Sequence, residues 1–459
     1  MPHLSDSFWA TQVPMSVPRP GLDGDLRADV AVVGGGFTGL WTAYYLKQTR
    51  PDLDVVVIER ERVGYGASGR NGGWLGGAIP GERTHLVRRY GRASVLRFQQ
   101  AIWSGVDEVL ERLEAEGIDA DQTKGGTLRV ATTAAQAARL AASVDADHAF
   151  GLAESDVRLI APDELSGRVR VAGARAATFT PHAARVHPGK LVVGLAAAVE
   201  RLGVRILETT AATRLEPGKV VCENGTVAAR YVVRATEGYT AGLPGQRRSW
   251  LPMNSSMIVT EPLPDAARAE IGWERAETLS DVAHSYVYLQ RTADGRIAIG
   301  GRGDPYRYAS RTDRSDHTPE RTIRWLTAEL HRLFPATRDV PVAHGWSGIL
   351  GVPRDWCASV GLDPSTGLAW AGGYVGHGVT SANLAGRTLR DLILGEESDL
   401  LAMPWVNHRV RHWEPEPLRW AGVHSMYALY RTADRSEARR GTGATSSIAK
   451  VADRISGRQ

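Results

Sequence analysis

A glycine pattern between residues 34 and 39 is the first part of the sequence whose residue types and spacing suit ligand chemistry. It reads G-x-G-x-x-G, follows a short apolar run and precedes apolar residues at helical spacing. The acidic Glu59 follows Gly39 by about 20 residues, as in dinucleotide-binding units. Gly34 suits the tight turn, Gly36 lets a pyrophosphate approach the backbone, and Gly39 lets the helix pack on the strand. We expect the helix N-terminus to bind phosphate and Glu59 to accept hydrogen bonds from ribose hydroxyls.

A second glycine-rich segment, residues 64–77, contains the string G-A-S-G-R-N-G-G. Its small residues let a backbone run close to a flat ring, and Ser68 and Asn71 offer hydrogen bonds to phosphate or ribityl groups. The segment directly follows the acidic residue, so it lies where a longer cofactor would continue beyond its adenine half. A nicotinamide enzyme has no need of this insertion, whereas a flavoprotein does. A surface loop without a ligand is the alternative interpretation.

A third glycine-rich segment, G-G-Y-V-G-H-G-V-T from Gly372 to Thr380, stands between a predicted strand and a predicted helix. The N-terminus of that helix would stabilise the negative charge that develops on a flavin edge during reduction. A glycine-rich helix start without a ligand is again the alternative. Three such segments in one chain favour an extended dinucleotide.

These segments need elements that hold them in place, and the hydrophobic pattern predicts such elements. Residues 29–33 and 54–59 are apolar runs typical of strands buried on both faces, and residues 40–48 between them have helical spacing. A strand–helix–strand unit of this length forms a parallel pair with a right-handed crossover. Between residues 253 and 303 the alternation is typical of antiparallel strands, with a hairpin turn at Asp294-Gly295.

The composition excludes several classes of protein. Hydrophobic residues make up 43% and charged residues 23% of the 459 residues, as in an ordinary globular protein. No apolar run approaches the roughly 20 residues of a membrane-spanning helix, and residues 1–20 lack the pattern of a signal peptide. Two distant cysteines, Cys222 and Cys357, form neither a disulfide framework nor a zinc site. A reducing cytoplasm is therefore the expected location.

The net charge of +4 and the pI of about 9.1 raise the question of nucleic-acid binding. However, the basic residues are mostly arginines that alternate with 51 acidic residues along the whole chain, whereas nucleic-acid binding needs a basic stripe. We therefore expect no nucleic-acid partner, no membrane partner and no metal site. A homo-oligomer stays open.

The strings V-V-G-G-G-F-T-G-L, G-Y-G-A-S-G-R-N-G-G, R-A-T-E-G-Y-T and G-Y-V-G-H-G-V together resemble the glycine oxidase/D-amino-acid oxidase superfamily of FAD-dependent oxidoreductases. The similarity runs from about residue 8 to residue 394 and is greatest to the bacterial branch that includes gamma-glutamylputrescine oxidase. This resemblance implies a Rossmann-like FAD domain, assembled from discontinuous segments, beneath a large mixed sheet that covers the substrate. It also implies hydride transfer from an amine carbon to flavin N5, hydrolysis of the imine to an aldehyde or keto acid, and reduction of O2 to H2O2.

The expected fold class is accordingly α/β, α+β overall, with a parallel sheet in the Rossmann-like FAD domain and a mixed or antiparallel sheet in the substrate domain. The division that we predict is an N-terminal lead-in 1–27, an FAD domain 28–85, 180–242 and 341–396, a substrate domain 86–179 and 243–340, and a C-terminal strap with a basic tail 397–459. We expect the last twenty or so residues to be a frayed tail. Residues 404–420, which hold three tryptophans, are either a strap across the FAD domain or a partner surface.

Together, the motifs and the resemblance predict a set of residues that contact FAD: Gly34, Gly36, Phe37, Thr38, Gly39, Glu59, Arg60, Gly66, Ala67, Ser68, Arg70, Asn71, Gly72, Gly73, Ala212, Ala235, Gly376, His377, Gly378 and Val379. Related enzymes attach FAD through a cysteine near the position of Gly348, or through a histidine in the loop occupied here by Arg70-Asn71. Neither anchor is present, so we expect non-covalent FAD. Related sarcosine oxidases also use a lysine in the reaction with O2, and the comparable strand, residues 296–298, has none.

Catalysis in this family needs mainly orientation of a neutral amine over the flavin. The candidate orienting residues are Tyr286 and Tyr288 on one strand, Arg302 after the paired strand, Trp346 and His377. Core aromatics, a surface charge and a structural loop residue are the alternative interpretations. The predicted function is oxidation of a gamma-glutamylputrescine-like amine or of an amino acid, with O2 or another acceptor. An amine dehydrogenase with a carrier acceptor and a non-catalytic flavin-binding subunit stay open.

Overall fold

The structure is a computed structural model that describes residues 7–14, 18–312 and 318–456. Its helices are α1 (Phe8–Thr11), α2 (Phe37–Thr49), α3 (Arg83–Tyr90), α4 (Arg92–Ala115), α5 (Ala134–Phe150), α6 (Pro162–Ser166), α7 (Pro188–Arg201), α8 (Asp265–Ile271), α9 (Glu320–Leu333), α10 (Gly378–Leu394), α11 (Leu418–Arg440) and α12 (Ser447–Ser456). Its strands are β1 (Leu26–Val33), β2 (Val55–Ile58), β3 (Trp74–Gly76), β4 (Thr127–Ala131), β5 (Arg158–Ile160), β6 (Ala176–Thr180), β7 (Ala183–Arg185), β8 (Arg205–Leu207), β9 (Ala212–Glu216), β10 (Lys219–Cys222), β11 (Gly225–Arg234), β12 (Leu251–Thr260), β13 (Thr278–Asp281), β14 (Tyr288–Arg291), β15 (Ile297–Gly301), β16 (Val342–Val352), β17 (Ser359–Asp363) and β18 (Leu368–Gly372).

The first sheet has a parallel centre in the order β8-β2-β1-β11-β18, the strand order of a dinucleotide-binding fold. β17 is antiparallel at one edge, and the β9–β10 hairpin extends beside β11. Residues 30–33 and all of β2 are buried on both faces, because their β-branched side chains suit a pleat that is packed on two sides. α2 and α10 cover one face. They approach closely at Gly386, where a Cβ would lie 2.8 Å from the backbone carbon of Trp41.

The second sheet has the order β16-β12-β15-β14-β13-β4-β6-β5 and is antiparallel except for the β13–β4 pair. One of its faces packs against α9 in an apolar core that includes Leu128, Leu289, Ile299 and Leu326. The opposite face borders a cavity between the two sheets. The short strand β3, at the end of the glycine-rich segment 64–77, pairs with β7, which precedes α7.

The two sheets confirm the predicted fold class, and the Asp294-Gly295 turn joins β14 to β15 as expected. Residues 84–116 have helical spacing of apolar residues, and they form two helices. Gly91, at φ +81°, ends α3 and precedes α4. β16, which our division places in the FAD domain, pairs with β12 in the second sheet. The domain boundaries stay a prediction.

Two segments that the sequence predicts to be irregular, residues 8–11 and 447–456, are helical. The predicted irregular lead-in contains α1. Its Trp9 is buried and packs on Trp346 of β16, with 5.8 Å between the ring centroids. The predicted frayed tail is wrong for residues 447–456, which form α12 and pack on α11. Sequence analysis did not predict helices here because α11 and α12 contain many polar residues. Both helices nevertheless have a buried face, which includes Tyr430 of α11 and Ala452 of α12.

Residues 404–420 pack against the rest of the chain. Trp405 is 1% exposed and lies in the first apolar core, 5.1 Å from Phe98. Trp413 donates a hydrogen bond of 2.7 Å to the carbonyl of Val352 at the end of β16. In the part of the chain that the structure describes, no helix has the length and hydropathy needed to cross a membrane.

Replacing Trp405 by Ala is expected to lower the free energy of unfolding by about 3–5 kcal/mol, because the substitution leaves a cavity in a packed core. Thermal and chemical denaturation followed by circular dichroism would measure this loss. Trp420→Ala is the matched control, since Trp420 is 40% exposed, and it should change stability by less than about 1 kcal/mol. Equal losses in the two variants would contradict the packing of this segment as a strap.

Candidate active site

A cavity of about 1170 Å³ lies between the two sheets, at the carboxyl ends of the parallel strands where open α/β sheets bind ligands. Its volume exceeds the roughly 300–1,000 Å³ of ordinary small-molecule sites, so it has room for an extended dinucleotide and a substrate. Most of the predicted cofactor contacts line it, namely Gly34, Gly36, Phe37, Thr38, Glu59, Arg60, Gly66, Ala67, Ser68, Arg70, Asn71, Gly72, Ala212, Ala235, Gly376, His377, Gly378 and Val379. Four of the predicted substrate-orienting residues line it too, namely Tyr286, Tyr288, Arg302 and His377. Gly39, Gly73 and Trp346 do not line it. Trp346 donates a hydrogen bond to the carbonyl of Arg70.

The turn between β1 and α2 is built on close backbone approaches. Gly34 has φ +117°, and a Cβ there would lie 2.5 Å from the carbonyl oxygen of Ala235. A Cβ at Gly39 would lie 2.0 Å from the carbonyl oxygen of Gly34. Gly39 therefore serves the packing of α2 under the turn, and it does not face the cavity. Gly36 faces the cavity and lies against Ser68, whose Oγ would be 2.8 Å from a Cβ at that position.

Glu59 braces this turn. Its carboxylate accepts hydrogen bonds from the N–H groups of Gly35 at 2.7 Å and Glu61 at 2.9 Å. Burial raises the pKa of Glu59, and these backbone donors oppose that shift. The side chain also lines the cavity beside Arg60 and Ala212. The contact to a ribose stays a prediction, and the bracing role is one that sequence reasoning missed.

The second glycine-rich segment is held from within and from both neighbours. The side-chain amide of Asn71 donates to the carbonyl of Ser68 at 2.7 Å, and its Oδ1 atom accepts from the N–H of Gly73 at 2.8 Å. Trp9 of α1 donates to the carbonyl of Asn71 at 2.8 Å. Arg70 donates to the carbonyls of Tyr65 at 2.6 Å and Ser347 at 3.3 Å. These contacts keep the backbone of the segment against the cavity.

Gly73 has a structural part in this segment. It has φ +68°, and a Cβ there would lie 2.0 Å from the amide nitrogen of Gln290 and 2.4 Å from the carbonyl oxygen of Val186. Gly73 therefore lets β14 and the start of α7 approach the segment. The motif led us to expect Gly73 on the cavity, but Gly73 does not line it.

The third glycine-rich segment leads into α10, whose N-terminal residues face the cavity. Tyr374 and Thr38 share a hydrogen bond of 3.0 Å that joins this segment to α2. Glu237 accepts hydrogen bonds from the N–H groups of Gly373 at 2.8 Å and Gly351 at 3.0 Å. Burial raises the pKa of Glu237 to about 7, opposed by these donors and by the charge of Arg234. Glu237 thus joins the first sheet to β16 of the second.

Tyr288 lies beside the second glycine-rich segment. A Cβ at Gly72 would lie 2.8 Å from its ring, and one at Gly300 would lie 2.3 Å from it, so two glycines make room for this side chain. Its hydroxyl shares a hydrogen bond of 2.9 Å with Ser255. The prediction that Tyr286 and Tyr288 share a strand is wrong, because β14 begins at Tyr288 and Tyr286 lies in the preceding loop. Both nevertheless line the cavity.

Arg302 and His377 lie close to each other on the cavity wall. The NH1 atom of Arg302 is buried and has no hydrogen-bond partner among the described residues. Burial and the charge of Arg302 together lower the pKa of His377 to about 4. His377 is therefore neutral near pH 7, while Arg302 stays charged. A neutral imidazole beside a free guanidinium donor can orient a polar substrate.

The loop that carries Tyr286 is held by α11. The carboxylate of Asp434 accepts hydrogen bonds from the N–H groups of His284 at 2.8 Å and Ser285 at 3.0 Å. Glu437 lies 3.0 Å from the ring nitrogen of His284, and the ring stacks on Tyr430. Tyr430 and Asp453 of α12 also line the cavity. The C-terminal helices therefore form part of its wall.

Neither cysteine lines the cavity. Cys222 and Cys357 are buried in apolar cores, where burial raises their pKa to about 11 and about 12. Thiols with such pKa values stay protonated and react slowly. Gly348, which does line the cavity, lies so close to Arg70 that a Cβ would be 3.1 Å from the Cβ of that residue.

Sequence reasoning missed Glu237, Asp434 and Arg129 as site residues. Glu237 stands inside the string R-A-T-E-G-Y-T, so an acid at the end of a buried strand was an available signal. Arg129 and Asp434 carry no local signal. Arg129 lines the cavity through the pairing of β4 with β13, and Asp434 binds the loop of Tyr286 through the packing of α11.

The FAD dependent oxidoreductase family, DAO, matches residues 29–392 of the chain. Gamma-glutamylputrescine oxidoreductase of Escherichia coli (strain K12) is 29% identical over 403 residues, which cover 86% of this chain and 90% of that relative. Probable oxidoreductase OrdL of Rhizobium meliloti (strain 1021) is 30% identical over 412 residues, which cover 86% of this chain and 89% of that relative. These matches confirm the expected cofactor, FAD, and the expected class, an oxidoreductase.

The structure of glycine oxidase from Geobacillus kaustophilus is similar to this one, with a TM-score of 0.68 at 23% sequence identity. The similarity covers 84% of this chain and 100% of that chain, and it shows the fold. FAD also fits the cavity on structural grounds, since the cavity has a volume of about 1170 Å³ and residues of all three glycine-rich segments line it.

Replacing Glu237 by Gln is expected to weaken FAD binding roughly tenfold, because an amide NH2 cannot accept from one of the two backbone N–H groups. A buried donor left without its partner costs about 1–3 kcal/mol. The dissociation constant would be measured from the fluorescence of released FAD. Glu223→Gln, at an exposed position in the β10–β11 turn, is the control and should bind FAD normally. Equal weakening in both variants would contradict this role of Glu237.

Replacing Asp434 by Asn is expected to raise KM for the reducing substrate severalfold, because one N–H group of the Tyr286 loop loses its acceptor. FAD content should stay unchanged, since Asp434 lies away from the glycine-rich segments. Stopped-flow reduction at varied substrate concentration would measure the effect. Arg435→Gln on the exposed face of α11 is the control. An unchanged KM in D434N would show that α11 does not position the loop.

Proposed function

The chain belongs to the DAO family of FAD-dependent oxidoreductases, and from this membership we propose that it oxidises an amine or amino acid at the carbon that bears the nitrogen. The observation that carries the proposal is the position of Tyr288, Arg302 and His377 on one cavity, beside the glycine-rich segments suited to the flavin. In such a site the protein contributes mainly orientation.

FAD held by the three glycine-rich segments would supply the hydride acceptor at N5, and O2 would take up the electrons to give H2O2. Arg302 orients a polar group of the substrate close to the reaction centre through its free NH1 donor. His377 is uncharged, so it accepts a hydrogen bond from the substrate nitrogen without repelling it. The N-terminus of α10 favours negative charge at the cofactor end of the cavity. Water then hydrolyses the released imine to an aldehyde or keto acid.

We propose a substrate of the gamma-glutamylputrescine type, a primary or secondary amine. The support is the relative from Escherichia coli, which is named for its activity on gamma-glutamylputrescine and which the chain matches over 86% of its length. Non-covalent FAD is supported by the burial of both cysteines away from the cavity. The two free cysteines also support the expected location in the cytoplasm. A homo-oligomer stays a prediction.

An amine dehydrogenase that passes electrons to a carrier is the second candidate. It is favoured by one observation, that no lysine stands among the described residues that line the cavity. An oxidase and a dehydrogenase would share the first half of the reaction and differ only in the acceptor. A non-catalytic flavin-binding subunit is the less favoured alternative, because the relatives are named as oxidoreductases.

Purified protein is expected to be yellow, to release its FAD on acid precipitation, and to bleach anaerobically with one class of amine. Polyamines, amino acids and N-methyl amines are the series to titrate. Peroxide release in air would identify the oxidase, and bleaching without peroxide would identify the dehydrogenase. Arg302→Gln should keep FAD and slow the bleaching at least about tenfold, since it removes a charged hydrogen bond. Arg97→Gln, exposed on α4, should bleach at the native rate.

Two outcomes would count against this function. FAD that stays with the precipitate would overturn non-covalent binding. FAD that no amine bleaches, in a folded yellow protein, would overturn amine oxidation and leave the flavin-binding subunit.

A further inference from the structure

A row of side chains crosses the cavity face of the second sheet. Tyr288 of β14 pairs with Ser280 of β13, which pairs with Arg129 of β4, and Arg129 pairs with Thr178 of β6. Directly paired residues on neighbouring strands point to the same side of a sheet. All four residues line the cavity. The row therefore runs along the wall that the second sheet forms, from Tyr288 beside the glycine-rich segment 64–77 to Thr178.

The length of this row follows from strand geometry. Neighbouring strands lie about 4.7–4.9 Å apart, so Arg129 lies roughly 10 Å along the sheet from Tyr288. Tyr288 marks the flavin end of the cavity because it packs on Gly72. Arg129 is thus at the far end from the expected reaction centre. About three residues of extended chain would cover that span.

Arg129 has an unusual environment for an arginine inside a sheet. Its neighbours Leu128 and Val130 are fully buried in the apolar core on the opposite face. Arg129 itself is exposed, and its exposure is to the cavity that it lines. Burial lowers its pKa, while Asp147 and Tyr286 act in the opposite direction. An arginine nevertheless stays protonated in a protein.

The other charged groups on this part of the wall have partners of their own. Asp147 pairs with Arg83, and Arg139 pairs with Glu437. Asp281 accepts from the N–H of Val287 and pairs with Arg332. No hydrogen bond or salt bridge to Arg129 is formed within residues 7–14, 18–312 and 318–453. Its guanidinium therefore keeps hydrogen-bond donors that an anion in the cavity can accept from.

We propose that Arg129 binds a carboxylate of the substrate that lies several bonds from the oxidised carbon. This inference rests on the proposed function and deepens it. The substrate class is then an amine with a distal anionic group, such as an ω-amino acid or an amino-acylated diamine. An α-amino acid places its carboxylate too close to the nitrogen to reach both ends of the row.

The kinetic test uses two amines of equal length, 8-aminooctanoate and octylamine, on the FAD-loaded enzyme. The native enzyme should prefer 8-aminooctanoate. Arg129→Gln should raise KM for that substrate about 10- to 100-fold, as expected for a lost charged hydrogen bond, and leave octylamine unchanged. Arg129→Lys should recover part of the loss. Arg97→Gln, which removes an exposed arginine on α4, should behave like the native enzyme.

A binding test is independent of turnover. Octanoate is titrated by calorimetry into the FAD-loaded native enzyme, R129Q and R302Q. The expected result is binding that weakens at least tenfold in R129Q and less in R302Q. The reverse order, or no binding to the native enzyme, would overturn the inference.

The two tests separate this inference from the proposed function. Amines that reduce FAD equally well with and without the carboxylate, in the native enzyme and in R129Q alike, would overturn the role of Arg129 alone. Octanoate binding that depends on Arg129, in a protein whose FAD no amine reduces, would overturn amine oxidation alone. If R129Q loses FAD, the partial recovery expected of R129K decides the point.

Discussion

The carboxylate of Glu237 joins three parts of the molecule around the cavity: the end of β11, β16 and the loop before α10. It follows β11 of the first sheet, and it accepts N–H groups from β16 of the second sheet and from the loop before α10. Burial raises its pKa to about 7, so the ionised form is stable only while backbone donors surround it. If either sheet moved away, a buried hydrogen bond would be lost without replacement by water. Glu237 therefore helps to fix the distance between β11 and β16, together with the hydrogen bond from Arg70 to the carbonyl of Ser347.

The two ends of that cavity are built on opposite principles. At the glycine-rich end, Glu59 and Asn71 are engaged with nearby backbone, so the wall presents mainly main chain and small residues. A rigid wall of this kind suits a cofactor that is the same in every family member. At the sheet end, Arg302 and Arg129 keep donors without protein partners. The buried NH1 donor of Arg302 is costly to leave unpaired, and both guanidinium groups favour an anionic or polar acceptor over an apolar group, which makes binding selective.

The parts of the fold that the sequence predicts are those that nearby residues determine. The turn at Gly34, the acid at Glu59 and the Asp294-Gly295 hairpin each depend on short-range spacing, and the structure contains all three elements. Arg129 could not be found in this way, because it faces the cavity only through the pairing of β4 with β13, some 150 residues later in the chain. The same holds for Tyr286, which lies in a loop because Asp434 of α11 binds the N–H groups beside it.

The position of the C-terminal helices gives this division a consequence for specificity. The family match ends at residue 392, whereas α11 and α12 follow it and contribute Tyr430 and Asp453 to the cavity wall. These helices touch the substrate end and hold the loop of Tyr286, while the glycine-rich segments lie within the matched region. A change in α11 can therefore alter the shape of the substrate end without disturbing the contacts that hold the cofactor. On this chain, α11 and α12 can therefore vary without any change in the glycine-rich segments, which lie within the matched region.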